Sequence, residues 1–314
     1  MARPNTDGAS TGGTSVPEGF FTQEPPRGVG ARRFAVLGSP VEHSRSPQLH
    51  IAAYRALGLD WDYSRWEIPK GGVTQALSAR GEGWGGFSVT APHKAEALHF
   101  VRSASEDALR SGAVNTIVFD SLDPASDAIG ENTDIPGALD AFGERGIERL
   151  DGPVDVLGGG GTAASLSIAA QRLGATHVRI WARRPEAAAE LAERIGEGAS
   201  AHDLADWALS DGVAGVIDTI PGGFDAKGKT FDDGRIRFAA LFSAAYSPWP
   251  TSLAERWLAA SGTIVTGLDL LLHQAVRQVR LFTGLGVDEA LPDEGAVVSV
   301  MRAALDTASP TRES

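Results

Sequence analysis

The chain has no cysteine in 314 residues. Disulfides, thiolate catalysis and cysteine-ligated metal centres are therefore excluded. No apolar run approaches the ~18 residues that a membrane-spanning helix needs. The amino terminus lacks the charged-then-apolar pattern of a secretion signal, so a cytoplasmic protein is expected by default. Positive charge is scarce: 28 Lys and Arg against 40 Asp and Glu give a net charge of −12. Such a balance argues against nucleic acid or an anionic membrane as the main partner, although it permits a local basic pocket for a phosphate. His43, His50, His93 and His99 are scattered without metal-ligand spacing, so no catalytic metal is expected. Nothing in the sequence decides between a monomer and a homodimer.

What is present is ordinary globular composition, 42% hydrophobic and 22% charged. At ~150 residues per domain the length suggests about two domains. Residues 1–31 are rich in Gly, Pro, Ser and Thr and read as a disordered extension. The terminal "TASPTRES" reads as a frayed tail. Between them, apolar runs alternate with amphipathic stretches. "RFAVLG", "WDYSRWEIP", "GFSVT" and "GAVNTIVFD" read as strands, separated by helices such as "SPQLHIAAYRALG", with Ser46 as its N-cap. "PVDVLGG", "HVRIWA", "VAGVIDTI", "AALFSAAY" and "TIVTG" continue the series, and "LDLLLHQAVRQVRLFTG" and "EGAVVSVMRAALD" are closing helices. This alternation predicts an α/β fold built on parallel sheets with helical crossovers.

The most legible motif is "VDVLGGGGTAASLSIAAQRLG". A strand runs into Gly158, Gly159, Gly160, Gly161 and Thr162, and a helix of small residues follows. Glycines there let the backbone approach a pyrophosphate at the helix N-terminus. The other reading is a tight βα turn with no ligand; the flanking strand–helix–strand context favours the dinucleotide. At the end of the next strand, Ala182, Arg183 and Arg184 stand where an NAD site usually has an acid. Two guanidinium groups suit a 2′-phosphate, so NADP is expected over NAD; Glu186 lies nearby.

In "GFSVTAPHKAEAL", Lys94 sits in the first turn of a helix, where a cation is poorly placed. Ser44 and Ser46 lie two apart at a strand-to-helix junction and could form a neutral anion cradle or simply cap. Asn115 reads as part of a strand, where Asn is disfavoured, which implies a polar task. Thr133 and Asp134 just precede a helix.

Taken in order, GSPVxHSxSP, SVTxPxK, GAVNT, NTDxxG, the GGGG turn, YxP and GLxLLxxQA resemble the shikimate dehydrogenase family over roughly residues 34–284. The resemblance implies NADPH-dependent reduction of 3-dehydroshikimate to shikimate, in a cleft between a substrate domain and a Rossmann-like domain. The expected partition is 32–133 plus 267–308 for the substrate domain and 134–266 for the cofactor domain, with hinge closure as a further step. Residue by residue, it implies Lys94 and Asp134 as the catalytic pair and Ser44, Ser46 and Tyr246 as holders of the carboxylate. Thr90, Asn115 and Gln274 would bind the hydroxyls or the carboxylate. The residues from Gly158 to Thr162, Ala182 to Arg184, Ala244 and Gly267 would line the cofactor. Departures from the family pattern are Ser88 for a frequent Asn, Asp218-Thr219-Ile220 for Asn-Ala-Thr, Ser243 for a frequent Asp, and Ala182-Arg183-Arg184 for Asn-Arg-Thr. At Ser88 a kept turn and little functional change are expected. Two alternatives stay open: a quinate or aminoshikimate dehydrogenase of the same family, and a non-catalytic NADP-binding regulatory protein.

Overall fold

The computed structural model describes residues 32–307. The expected extension at 1–31 and the tail beyond 307 lie outside the described residues. Six strands form the first sheet: β1 (Arg32–Gly38), β2 (Trp61–Glu67), β3 (Trp84–Val89), β4 (Ser103–Ala104), β5 (Thr116–Phe119) and β6 (Ala128–Glu131). Its order is β2-β1-β3-β5-β6-β4. The expectation of parallel sheets fails here, because β5 runs antiparallel to both β3 and β6. Only the short link from Asp120 to Asp127 joins β5 to β6, too short for a helical crossover, so the pair must be antiparallel. Asn115 falls just before β5 rather than inside it.

The second sheet comprises β7 (Pro153–Leu157), β8 (His177–Ala182), β9 (Ala199–Asp203), β10 (Gly215–Asp218), β11 (Ala240–Ser243) and β12 (Ile264–Thr266). It is wholly parallel, in the order β12-β11-β10-β7-β8-β9. Its first strand in the chain, β7, is central, and the strand order reverses between β7 and β10. That is the doubly wound dinucleotide-binding order, whose ligand crevice opens at the switch point beyond the strand ends.

Both sheets are packed on two faces, as apolar strands require. Phe34, Val36 and Tyr63 of the first sheet pack under α1 (Ser46–Ala56), α10 (Gly267–Phe282) and α11 (Glu294–Thr307). On the other face Ala35, Leu37, Phe87 and Ile117 pack with residues of α2 (Val73–Ser78), α3 (Lys94–Phe100) and α4 (Glu106–Ser111). In the second sheet, Val154, Val156 and Ile180 pack against α5 (Asp134–Glu144), α6 (Gly161–Arg172) and α7 (Pro185–Ile195). Leu157, Val216 and Leu241 pack with Trp207 and Trp257, the latter on α9 (Ser252–Ala259) beyond α8 (Asp233–Phe238).

Helices α5 and α10 connect the two sheets. Gly137 of α5 presses on α10: a Cβ there would lie 2.6 Å from Gln274 N and 2.8 Å from its Cα. Alongside, Arg277 pairs with Asp140 at 2.8 Å and Arg145 with Asp269 at 2.8 Å. Asp269 also closes a capping box with Thr266 at the start of α10.

Candidate active site

Between the sheets lies a cavity of about 480 Å³, within the range of small-molecule sites. Ser44, Ser46, Thr90, Lys94, Asn115, Asp134, Thr162, Ala244, Tyr246, Gly267 and Gln274 all border it. A second cavity, about 580 Å³, is bordered by Gly158, Gly159, Gly160, Gly161, Thr162, Ala182, Arg183 and Arg184. The two share Ala91, Thr162, Thr219, Ile220 and Pro221.

Lys94 Nζ donates to Asp134 Oδ2 at 2.5 Å and to Thr162 Oγ1 at 3.2 Å. Its side chain retains 13% exposure and that of Asp134 6%, so the ammonium reaches the cavity while its partner is nearly dry. Asp134 opens α5, where a carboxylate is favoured by the helix dipole. The capping there is done by a neighbour: Asn132 Oδ1 accepts from the backbone N–H of Asp134 and Ile135. Thr133, at the N-cap position, makes no side-chain cap bond. Asn115 Nδ2 donates to Asp134 Oδ1 at 2.8 Å, while Asn115 Oδ1 accepts from Thr133 N at 2.7 Å. Each carboxylate oxygen of Asp134 thus has its own donor, as a buried carboxylate requires.

At the other end, Ser44 Oγ donates to Ser46 Oγ at 3.3 Å and accepts from Ser46 N at the same distance. Ser46 is not the N-cap expected from sequence; Arg45 occupies that position and Ser46 is the first helical residue. Beneath Ser46, the fully buried His50 meets Ser46 O through Nδ1 at 2.9 Å and stacks on Tyr63 at 4.0 Å. Burial lowers the pKa of His50 to about 4. Arg65 Nε donates to Ser44 O at 3.0 Å. Burial raises the pKa of the Tyr246 phenol, and the charges of Arg45 and Arg65 oppose that shift. The acidic chain therefore has a locally positive end to this cavity.

Ser88 is not in a turn. It is a buried residue of β3, accepting from Tyr63 OH at 2.6 Å and donating to Gln278 Oε1 at 2.7 Å. Gln278, Tyr63 and Arg65 escaped sequence reasoning. Gln278 carried one signal, since it lies four residues after Gln274 and so shares its helix face. His43 borders the cavity, and His93 is tied to Ile68 O at 2.7 Å. Among the described residues no cluster of His, Asp and Glu is placed to hold a metal.

The glycine turn is shaped for close approach. Gly158 has φ +124, a conformation that needs glycine. A Cβ on Gly267 would run into Ala244 O. The side chains of Arg183 and Arg184 are exposed and make no hydrogen bond or ion pair among the described residues. Asp218 pins the loop after β10 by accepting from Ile220 N at 3.1 Å and Phe224 N at 2.7 Å; burial raises its pKa to about 6. Ser243, which replaces the family's frequent Asp, is its register partner on β11.

A doubly wound sheet, a glycine turn at its switch point and a lysine–carboxylate pair in the adjoining cavity define a dinucleotide-dependent α/β oxidoreductase. Residues 36–117 match the family model described as the shikimate dehydrogenase substrate binding domain. The chain is 35% identical over 256 residues to the shikimate dehydrogenase (NADP(+)) of Methanococcoides burtonii, covering 80% of this chain and 92% of that one. The crystal structure of Mycobacterium tuberculosis shikimate dehydrogenase superposes with a TM-score of 0.72 at 36% identity, covering 88% of this chain and 100% of that one. That of the Thermus thermophilus shikimate 5-dehydrogenase, in complex with NADP(H) and shikimate, gives 0.71 at 31%, covering 87% and 99%. The chain belongs to the shikimate dehydrogenase family.

Proposed function

We propose that this protein interconverts 3-dehydroshikimate and shikimate with NADP as cofactor. One observation carries the reading: Lys94 and Asp134, from different elements, meet at 2.5 Å on the wall of a cavity that also borders the glycine-turn switch point. The exposed Arg183 and Arg184, with no hydrogen-bond or ion-pair partner among the described residues, fit a 2′-phosphate by charge and fork geometry. When bound, the nicotinamide supplies or accepts the hydride.

The residues divide the remaining work by chemistry. Reduction of a ketone leaves an alkoxide that needs a proton. The Lys94 ammonium faces the cavity and donates; in the oxidation direction it takes the proton back. Asp134 holds the ammonium in place, and Asn115 holds Asp134. Ser44, Ser46 and Tyr246 receive the carboxylate at the positive end, and Arg65 fixes the Ser44 carbonyl. Thr90 and Gln274 read the ring hydroxyls or the carboxylate, while Asn115, whose carboxamide is committed to Thr133, Thr116 and Asp134, acts through Asp134. A ligand that lacks one of these groups leaves a buried polar atom unpaired, which penalises it. In this reading 32–133 and 267–308 form the substrate domain, 134–266 form the cofactor domain, and closure about α5 and α10 excludes water from the site.

The test is NADPH consumption with 3-dehydroshikimate, and the reverse reaction with shikimate or quinate and NADP or NAD. NADPH-dependent reduction that exceeds every other combination is expected. A preference for quinate would reassign the substrate within the family. No turnover with any of these acids would leave a binding protein and end the enzymatic reading.

A further inference from the structure

The polar residues of the cavity rest on a buried hydrogen-bond chain in which donors follow one another without a break. Tyr63 OH donates to Ser88 Oγ (2.6 Å), and Ser88 donates to Gln278 Oε1 (2.7 Å). Gln278 Nε2 donates to Thr116 Oγ1 (3.0 Å) and to the Asn115 carbonyl (3.2 Å). Thr116 Oγ1 donates to Asn115 Oδ1 (2.9 Å), and Asn115 Nδ2 donates to Asp134 Oδ1 (2.8 Å). Lys94 closes the series at Asp134 Oδ2. All the members before Lys94 are buried, Gln278 to 1% exposure and Thr116 to 0%.

From this geometry we infer that Gln278 is a positioning residue, the hub through which α10 sets Asn115 and Asp134. The inference rests on the proposed reaction only for its kinetic arm. Both ends of the Gln278 carboxamide are committed to protein atoms, so it acts through others rather than on the substrate. The orientation is forced. The Asn115 carbonyl can only accept, so the Gln278 NH2 faces β5 and its oxygen faces β3, where Ser88 donates to it while accepting from the Tyr63 phenol. With NH2 on that side, Thr116 accepts there and donates to Asn115 Oδ1 at 2.9 Å, the nearer of its two remaining contacts, with Thr133 Oγ1 at 3.2 Å. Asn115 then has its oxygen occupied by Thr116 and Thr133 N, and its NH2 is directed at Asp134. Ser88 thus relays with a single hydroxyl between Tyr63 and Gln278, both of which belong to the same network.

Gln278→Met keeps the side-chain length and removes both polar ends; Thr116→Val removes the next relay. Each is expected to lower kcat/KM for 3-dehydroshikimate by about tenfold or more, because a buried partner is left unpaired. NADPH affinity should stay within about twofold, since the chain lies outside the glycine turn. The double variant should lose little more than either single one, the mark of residues acting in one path. A second readout needs no substrate. The Thr133 amide donates to Asn115 Oδ1, so its hydrogen exchange reports the carboxamide directly and should quicken in both single variants. If Gln278→Met fails to fold, Ser88→Ala, which deprives Gln278 of its donor, gives the same two readings. Unchanged Thr133 exchange, turnover within about twofold of the parent, or multiplicative losses in the double variant would overturn the inference. Failure of the parent protein to reduce 3-dehydroshikimate would instead count against the proposed reaction, while the exchange measurement would still decide the role of Gln278.

Discussion

Gly137→Ala probes the contact on which the arrangement of the two sheets depends. The added methyl would sit 2.6 Å from Gln274 N, 2.8 Å from its Cα and 2.9 Å from its Cβ, where ordinary contact begins at 3.4 Å. Two of these three atoms are backbone, so no rotamer change relieves the clash. Helix α10 must retreat from α5 by about 0.8 Å, the shortfall at the nearest atom. Overpacking of this kind costs about 1–3 kcal/mol. Alanine in place of a helical glycine returns about 0.8–1.0 kcal/mol through propensity. The net loss of stability is therefore at most about 2 kcal/mol, or ~4–8 °C in Tm at ~2–4 °C per kcal/mol. The effect on activity is larger in proportion. Gln274 is the residue displaced; in the proposed reaction it binds substrate, and misplacing such a group by about 1 Å can cost about 10²-fold in rate. NADPH consumption with 3-dehydroshikimate should show kcat/KM down by about 10–100-fold, with NADPH affinity little changed. Thermal melts on the same preparations give the stability change. A variant that melts higher than the parent and turns over normally would show that the two helices do not meet here as described.

Three other outcomes follow from the site. Lys94→Ala should keep shikimate binding by calorimetry yet lose about 10²–10⁴ in turnover; near-native turnover would remove the lysine from proton transfer. Arg183→Ala with Arg184→Ala should weaken NADPH by about 10–100-fold while leaving NADH little affected, as charge-assisted contacts to a 2′-phosphate predict; equal losses for both cofactors would refute that role. His50 titrates near 4 in the folded protein against 6.5 when free, so unfolding takes up a proton as the pH falls below about 6.5. Its share of stability is intact above that pH and declines toward pH ~4, by up to about 3 kcal/mol. Urea melts across this window should show a shallower slope for His50→Phe than for the parent, and parallel slopes would contradict the assignment.

Much of the architecture was readable because it is local. A strand running into Gly158–Gly161 and then a helix is a nearest-neighbour pattern, and it located β7, α6 and the turn between them. The short strands β4 and β6 and the strand β9 were not read. β4 has two residues and β6 four, and β9 carries Ser, His and Asp without a clean alternation. Strand direction in the first sheet was misjudged for a related reason. The antiparallel course of β5 follows from the length of its link to β6, which hydrophobic periodicity does not encode. The N-cap of α1 shifted because Ser44 Oγ, two residues earlier, accepts from Ser46 N.

The sequence by itself determined the family pattern and the candidates for its chemistry, since motif order and side-chain type single out Lys94, Asp134, Asn115 and the glycine turn without any coordinates. Only the tertiary structure decided how they are held. Gln278 lies 163 residues from Asn115 and 190 from Ser88, yet hydrogen-bonds with both. Arg65 supports Ser44 from a neighbouring element, and Gly137 admits Gln274 by having no side chain. Such partnerships depend on where buried donors find acceptors after the sheets and helices have packed, and residue spacing along the chain does not specify that.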